Sequence, residues 1–163
     1  QSLICREGVV ALKLDERDRR ILTLLQEDCR MSNADLAEAV GMSPSAFWRR
    51  VRVLEDAGII ARYGAVVVPK AMGLSFEALV QVNLTRHAPE HLTEFIRAVE
   101  SNPHVVECYA TTGQADYHLR VLAPDLEAYN QFLERFLFRL AGVASAQTHV
   151  ILKTIKRDTL VVP

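Results

Sequence analysis

The sequence has no excess of charge of either sign. Its 163 residues include 19 Lys and Arg and 20 Asp and Glu, which gives a formal net charge of -1 at pH 7. A chain without a basic excess has no overall electrostatic field that draws it onto nucleic acid or an anionic membrane. Any binding to DNA must therefore depend on a local basic patch.

Cysteine is also scarce. The three cysteines, Cys5, Cys29 and Cys108, are widely spaced and form no C-x-x-C pair. An odd, scattered set is more typical of reduced thiols than of a disulfide or zinc framework. We therefore expect a cytoplasmic protein.

Long apolar runs are absent as well. None approaches the roughly 20 residues that cross a bilayer, so no membrane partner is expected. Hydrophobic residues still make up 50% of the chain, which is enough to bury a substantial core.

Signatures of catalysis and metal binding are missing too. The chain has no G-x-S-x-G, no P-loop and no G-x-G-x-x-G, and its carboxylates are not patterned as an acid opposite a base. His87 and His91 are four residues apart, but Pro89 lies between them and is expected to begin a helix. We therefore predict a protein that is not an enzyme and holds no cofactor or metal.

Up to about residue 60, apolar residues recur at intervals of three and four, which predicts helices. The first begins near Asp15. The second is short, with Ser32 or Asn33 as its N-cap and Gly41 at its end.

A third helix follows after a three-residue turn that contains glycine. Ser43 is its predicted N-cap, Pro44 occupies the first helical position, and Gly58 ends it. Two helices joined in this way form a helix-turn-helix unit.

The third helix has distinct faces at 100° per residue. Its predicted buried stripe is Phe47, Val51 and Leu54, and its opposite side carries Ser45, Arg49 and Arg52. Two arginines one turn apart can place guanidinium groups against base edges and phosphates in the major groove. The alternative is an ordinary solvated face, because surface helices often carry arginine.

The predicted DNA-binding residues are Ser43, Ser45, Ala46, Arg49, Arg50 and Arg52. Among these, Arg50 lies nearer the edge of the buried stripe, where it would hold a phosphate or an acidic neighbour. Trp48 is expected to pack between helices.

After residue 62 the pattern changes to alternation, which predicts strands. Tyr63 to Val68 predicts a linker strand. We expect a helix-turn-helix domain at residues 14–62, a linker at 63–74 and a second domain at 75–163.

The second domain is predicted as βαββαβ, an α+β ferredoxin-like fold with both helices on one face of an antiparallel sheet. Its predicted elements are a strand at Phe76–Leu84, a helix at Pro89–Ser101, strands at Val105–Thr112 and Tyr117–Ala123, a helix capped by Asp125, and a strand at Ser145–Ile155.

The other face of this sheet has no predicted cover. By alternation it carries Glu77, Leu79, Gln81, Asn83, Glu107, Tyr109, His118, Arg120, Leu122, His149 and Ile151. A surface that mixes apolar and polar side chains in this way is typical of a dimer interface.

Several motifs together resemble the Lrp/AsnC family, the leucine-responsive and asparagine-responsive bacterial transcription regulators. Leu14 to Pro69 contains D-x-x-D-x-x-I-L-x-x-L-Q, L-A-x-x-V-G-x-S and R-V-x-x-L-E-x-x-G-I-I. Glu107 to Tyr129, "ECYATTGQADYHLRVLAPDLEAY", resembles the effector-binding half of the same family.

The resemblance implies a homodimer that assembles into tetramers or octamers, binds double-stranded DNA, and takes a small effector, usually an amino acid, between dimers. Carried onto this sequence, it points to the effector-binding residues Gly113, Gln114, Asp116, His149 and Val150. The family loop commonly reads G-D-[aromatic]-D-Y, whereas this chain has "GQADY". Asp116 could instead be a turn residue that bonds its own backbone, and Gly113 could be present for a turn conformation.

The leading hypothesis is a sequence-specific transcription regulator that responds to a small effector. The alternatives are an architectural DNA-binding protein without an effector and an amino-acid-sensing regulator of enzymes.

Overall fold

The computed structural model describes residues 12–85, 89–157 and 161. These residues form two compact units, one up to Ala65 together with Lys156, Arg157 and Val161, and the other from Val66 to Ile155. The described residues at the end of the chain thus belong to the first unit. The side-chain amide of Gln26 holds it there: Val161 N donates to Gln26 Oε1 at 2.8 Å, and Gln26 Nε2 donates to Val161 O at 3.0 Å.

The first unit contains the helices α1 (Glu16–Glu27), α2 (Asn33–Ala39) and α3 (Pro44–Asp56). The predicted caps Ser32, before α2, and Ser43, before α3, are present, and α1 begins after its cap Asp15, where a helix start was predicted. The amphipathic faces of the helices meet in one core, formed by Ile21, Leu22, Leu36, Ala37, Val40, Phe47 and Leu54.

The turn between α2 and α3 depends on Gly41. Its φ of 65° lies in the left-handed region, where a side chain would be strained. This turn brings α3 back across α2, as a helix-turn-helix requires.

The predicted linker strand at 63–68 is wrong. Within the described residues no strand precedes Phe76, and Pro69–Met72 forms a single 3-10 turn. A strand requires a partner for its backbone groups, and the described part of the chain supplies none to this segment.

The second unit is a sheet with two helices on one face. Its elements are β1 (Phe76–Leu84), α4 (Pro89–Ser101), β2 (Val105–Ala110), β3 (Tyr117–Ala123), α5 (Leu126–Arg135) and β4 (Val143–Val150), with a 3-10 turn at Leu137–Arg139. The strand order is β2-β3-β1-β4 and all pairs are antiparallel. This confirms the predicted ferredoxin-like α+β fold.

The core of this unit lies between the helices and the sheet. It consists of Ala78, Val80, Val82, Leu119, Val121 and Ala123 from the sheet, with Phe95, Val99, Tyr129, Phe132 and Leu137 opposite. β4 ends at Val150, which pairs with Ala78, rather than at the predicted Ile155. A further bond joins Ile151 N to Glu77 O at 2.9 Å, and because β1 begins at Phe76 it offers no partner to the residues after Leu152.

Candidate functional site

The outward face of α3 is polar, as the sequence predicts. Phe47 and Leu54 are 1% and 0% exposed, whereas the opposite side presents Ser45, Arg49 and Arg52 to solvent. The side chain of Arg52 is 59% exposed. The buried face fixes the rotation of the helix, and the two arginines point away from the core together.

The first turn of α3 is held by its own cap. Ser43 Oγ accepts a hydrogen bond from Ala46 N at 3.3 Å and lies 3.4 Å from Ser45 Oγ. Ala46 is half-buried. Ser43 and Ala46 therefore organise the helix start, whose remaining N–H groups can face an anion.

Arg50 belongs to an ion-pair cluster and not to the exposed polar face. Its Nε donates to Asp18 Oδ1 at 2.6 Å, and its Nη2 bonds Asp15. The hydrogen bond to Asp18 is the largest cause that raises the pKa of Arg50. Arg50 was predicted to hold either a phosphate or an acidic neighbour. In the structure it holds acidic neighbours, because α1 begins directly against α3.

Trp48 does not pack between helices as predicted. It is 52% exposed, and the guanidinium carbon of Arg52 lies 5.5 Å from its ring centroid. At 100° from Phe47 around the helix, Trp48 falls outside the buried stripe, so the helical geometry alone indicates its exposure.

The loop between β2 and β3 is built around Asp116. Its Oδ2 accepts from Leu84 N at 2.8 Å, its N donates to Val82 O, and its backbone O accepts from Thr111 N. The carboxylate therefore fastens the loop to the end of β1 instead of bonding its own backbone. Gly113 has a φ of 122°, a conformation that favours glycine.

A cleft of about 410 Å³ lies beside Asp116. Its walls mix apolar and polar side chains and come from the end of β1, the start of α4 and the loop: Leu84, Thr85, Pro89, Leu92, Thr111, Asp116 and Tyr117. Gly113 and Gln114 are exposed and do not line it. A half-buried carboxylate in a cleft of this kind can bind an ammonium group.

His149 and Val150 do not join this cleft within one chain. They pair with Leu79 and Ala78 of β1, whereas Asp116 bonds Leu84. From Leu79 to Leu84, β1 spans about 16 Å at roughly 3.3 Å per residue. The structure therefore separates the predicted effector residues into two places.

The sheet face opposite the helices carries a row of charges. Arg120 Nε lies 2.6 Å from Glu77 Oε1, Arg120 Nη1 bonds Glu107, and Tyr109 Oη donates to Glu107 Oε2 at 3.2 Å. Burial lowers the pKa of Arg120, but the hydrogen bonds and charges of Glu77 and Glu107 raise it by more. The pKa of Arg120 therefore lies above its ordinary value. Leu122, predicted on this face, is only 5% exposed.

No group of three or more His, Cys, Asp or Glu side chains in the described ranges could hold a metal ion. His87 lies outside those ranges. The helices that the structure describes include none long and apolar enough to span a bilayer.

Comparison with protein families gives two matches that together cover most of the chain. Residues 14–61 match a winged helix-turn-helix DNA-binding model, and residues 77–161 match the Lrp/AsnC ligand-binding domain. The chain belongs to the Lrp/AsnC family.

Relatives of known role support the same assignment. The transcriptional regulator AzlB of Bacillus subtilis is 36% identical over 152 residues, which cover 93% of this chain and 97% of AzlB. The leucine-responsive regulatory protein of Escherichia coli is 38% identical over 149 residues, which cover 91% of each.

Solved structures of Lrp/AsnC-type regulators share the fold. A transcriptional regulator of Neisseria meningitidis, solved as a complex with L-Met, has a TM-score of 0.86 and 38% identity over 90% of this chain and 95% of that one. E. coli AsnC has a TM-score of 0.84 and 26% identity over 91% and 99%. This Lrp/AsnC chain is thus a transcription regulator with a helix-turn-helix domain for DNA and a domain for a small ligand.

Proposed function

We propose that this regulator binds DNA sequence-specifically through α3, as a homo-oligomer, and changes its DNA binding when an amino acid occupies the cleft beside Asp116. The observation that carries the proposal is the exposed face of α3, where Arg49 and Arg52 are held opposite the buried Phe47 and Leu54.

The DNA contacts divide by chemistry. Arg49 and Arg52 present flat, multiply donating guanidinium groups suited to guanine edges, and the Ser45 hydroxyl can bond a base or a phosphate. Ser43 and Ala46 lie at the helix N-terminus, where the free N–H groups of the first turn favour a phosphate. Arg50 is not among the readers in this proposal, because Asp15 and Asp18 occupy it.

The effector we propose is an amino acid. The L-Met bound to the Neisseria relative supports this class. In this chain Asp116 would accept the ammonium group, and Leu84, Leu92 and Tyr117 would surround an apolar side chain. The first turn of α4, which begins at the cleft wall with Pro89, offers backbone N–H groups to the carboxylate.

In this proposal, the other predicted effector residues contact the effector from other copies of the chain. These are Gly113, Gln114, His149 and Val150. Each is exposed, and none lines the cleft within one chain. They would touch the effector only where a second dimer brings them to it, which agrees with an effector bound between dimers.

Two exposed surfaces support self-association. The uncovered sheet face includes Leu79 and Tyr109, which are 41% and 57% exposed. The linker presents Val66, Val67 and Val68 at 81%, 56% and 63% exposure. Apolar surfaces of this kind are rarely left in water. We propose that a second copy covers both in a cytoplasmic homodimer, which further assembles into tetramers or octamers.

Two linked measurements test this function. Wild-type protein is used to select duplexes from a randomised DNA library, and the affinity for the enriched duplex is then measured with each L-amino acid in turn. We expect one enriched palindromic sequence, since paired subunits present two recognition helices about one DNA turn apart, roughly 34 Å. At least one amino acid should change the affinity, whereas D-amino acids serve as the control. Failure to enrich any sequence would refute the DNA-reading role.

A further inference from the structure

Trp48 is the only tryptophan in the chain, and it lies on the surface of the recognition helix with 52% of its area exposed. Tryptophan has the largest apolar surface of any side chain. Packing within the first unit does not explain why Trp48 lies on the exposed side of α3. The same turn of the helix carries Arg49 and leads to Arg52.

The indole holds Arg52. The guanidinium carbon of Arg52 lies 5.5 Å from the ring centroid of Trp48, within the range of a cation–π contact. Arg52 Nη1 also lies 3.5 Å from Glu55 Oε2, and Glu55 Oε1 accepts a hydrogen bond from Tyr63 Oη at 3.0 Å. An arginine held by two neighbours loses less conformational freedom when it meets a base than a free one does.

A cation–π contact also suits the chemistry of base reading. The N–H groups of a guanidinium lie in its own plane, so contact of its face with a ring does not use them and they can donate to a base edge. With 52% of its area exposed beside Arg52, Trp48 has surface available to a partner that Arg52 also contacts.

We propose that Trp48 is a specificity-determining residue of the DNA-binding surface: it positions Arg52 against a guanine edge and is itself covered by the DNA. This inference rests on the proposed function and assigns to the Trp48–Arg52 pair the reading of one base pair in each half-site.

The first test uses the emission of the single tryptophan. Wild-type protein is titrated with the duplex it selects and, as control, with a scrambled duplex under salt that suppresses non-specific binding. We expect the emission maximum or intensity to change at saturation with the selected duplex only. A purely structural Trp48 would not report on DNA in this way.

The second test compares selected sequences and affinities for Trp48→Ala, Trp48→Phe, Arg52→Gln and the double variant Trp48→Ala with Arg52→Gln. Val53→Ala is the matched control, because Val53 is 50% exposed on the other flank of the same helix. We expect Trp48→Ala to weaken binding about 3- to 10-fold, as for loss of a partly desolvated cation–π contact. It should relax the same base position that Arg52→Gln relaxes, and the double variant should lose little more than Arg52→Gln alone.

Trp48→Phe keeps an aromatic face and should retain part of the preference, whereas Val53→Ala should resemble wild type. The inference is overturned if Trp48→Ala keeps wild-type affinity and base preference and the emission of Trp48 is unchanged in the saturated wild-type complex. If wild-type protein selects no sequence at all, it is the proposed function that fails.

Discussion

Arg50 Nε lies 2.6 Å from Asp18 Oδ1, and this contact joins α3 to the first turn of α1. Asp18 is 4% exposed, and among the residues that the structure describes it is the one charged residue that is buried. It also takes part in a reciprocal cap, since Asp15 N donates to Asp18 Oδ2 at 3.0 Å and Asp18 N donates to Asp15 Oδ1 at 2.9 Å. One arginine therefore neutralises the carboxylates that begin α1 and fixes α3 against them.

Replacing Arg50 with alanine should destabilise the first unit without removing a DNA reader. The change leaves the Asp18 carboxylate buried without its cation, at a cost of about 1–3 kcal/mol. Urea unfolding followed by Trp48 emission measures this. Arg49→Ala, an exposed arginine on the same helix, should change stability by less than about 0.5 kcal/mol. Equal stability of the two variants would contradict the structural role of Arg50.

The same cluster predicts a dependence of stability on pH. The hydrogen bond from Asp18 N–H is the largest cause that lowers the pKa of Asp15 below its ordinary value of 3.8, and the charge of Arg50 adds to it against partial desolvation. The pKa of Asp15 is lower in the folded state than in the unfolded state. Its contribution to the free energy of unfolding is therefore complete above pH 3.8 and is lost as the pH falls below 3.8 and through the lower folded-state pKa.

Asp15→Asn should therefore reduce the loss of stability below that pH while keeping a side chain that caps helices well. The exposed Glu94→Gln in α4 is a control of similar charge change. Acid unfolding curves followed by Trp48 emission should flatten for Asp15→Asn and not for Glu94→Gln. Identical curves for wild type and Asp15→Asn would show that this carboxyl does not stabilise the fold.

Much of this arrangement follows from local patterns in the sequence. The caps Ser32 and Ser43 and the start of α1 near Asp15 were predictable because helix starts depend on residues within one turn. The opposition of Arg49 and Phe47 on α3 follows from the helical repeat alone. β1, α4 and β3 have the predicted bounds for the same reason, since each is bracketed by turn or helix-breaking residues.

Other contacts depend on elements that are distant in sequence. The sequence around Arg50 does not show that α1 begins against this residue. A phosphate and an acidic neighbour were therefore equally reasonable partners for it. Cys108 is exposed on β2, an edge strand, and the local sequence does not reveal that β2 lies at the edge. The cleft likewise requires Leu84, Leu92 and Asp116 from separate elements.

Substitutions of Asp116 can separate its structural contact from its proposed role in effector binding. Asp116→Asn keeps an oxygen that can accept from Leu84 N, but it removes the negative charge that an ammonium group needs. Asp116→Ala removes both and should lower stability by about 1 kcal/mol. Melting temperatures without ligand should therefore fall for Asp116→Ala and stay close to wild type for Asp116→Asn.

With ligand, the two variants should behave alike. An amino acid at 100 times its Kd should stabilise the wild-type protein by about 2.7 kcal/mol. Both Asp116 variants should lose most of the corresponding rise in melting temperature. A full ligand-induced rise in Asp116→Asn would place the effector elsewhere.

The most direct measurement of the central claim is the DNA affinity of the double variant Arg49→Ala with Arg52→Ala. Arg97→Ala with Arg139→Ala is its control, because it removes the same charge from exposed positions of the second unit. Affinities for the duplex selected by wild type are measured at several salt concentrations, and oligomeric state is checked by light scattering. We expect the α3 variant to bind at least about 30-fold more weakly, from about 1 kcal/mol or more for each arginine. Its salt dependence should be shallower and its oligomeric state unchanged, while the control binds as wild type does. Wild-type affinity in the α3 double variant would contradict the assignment of this helix as the DNA-reading element.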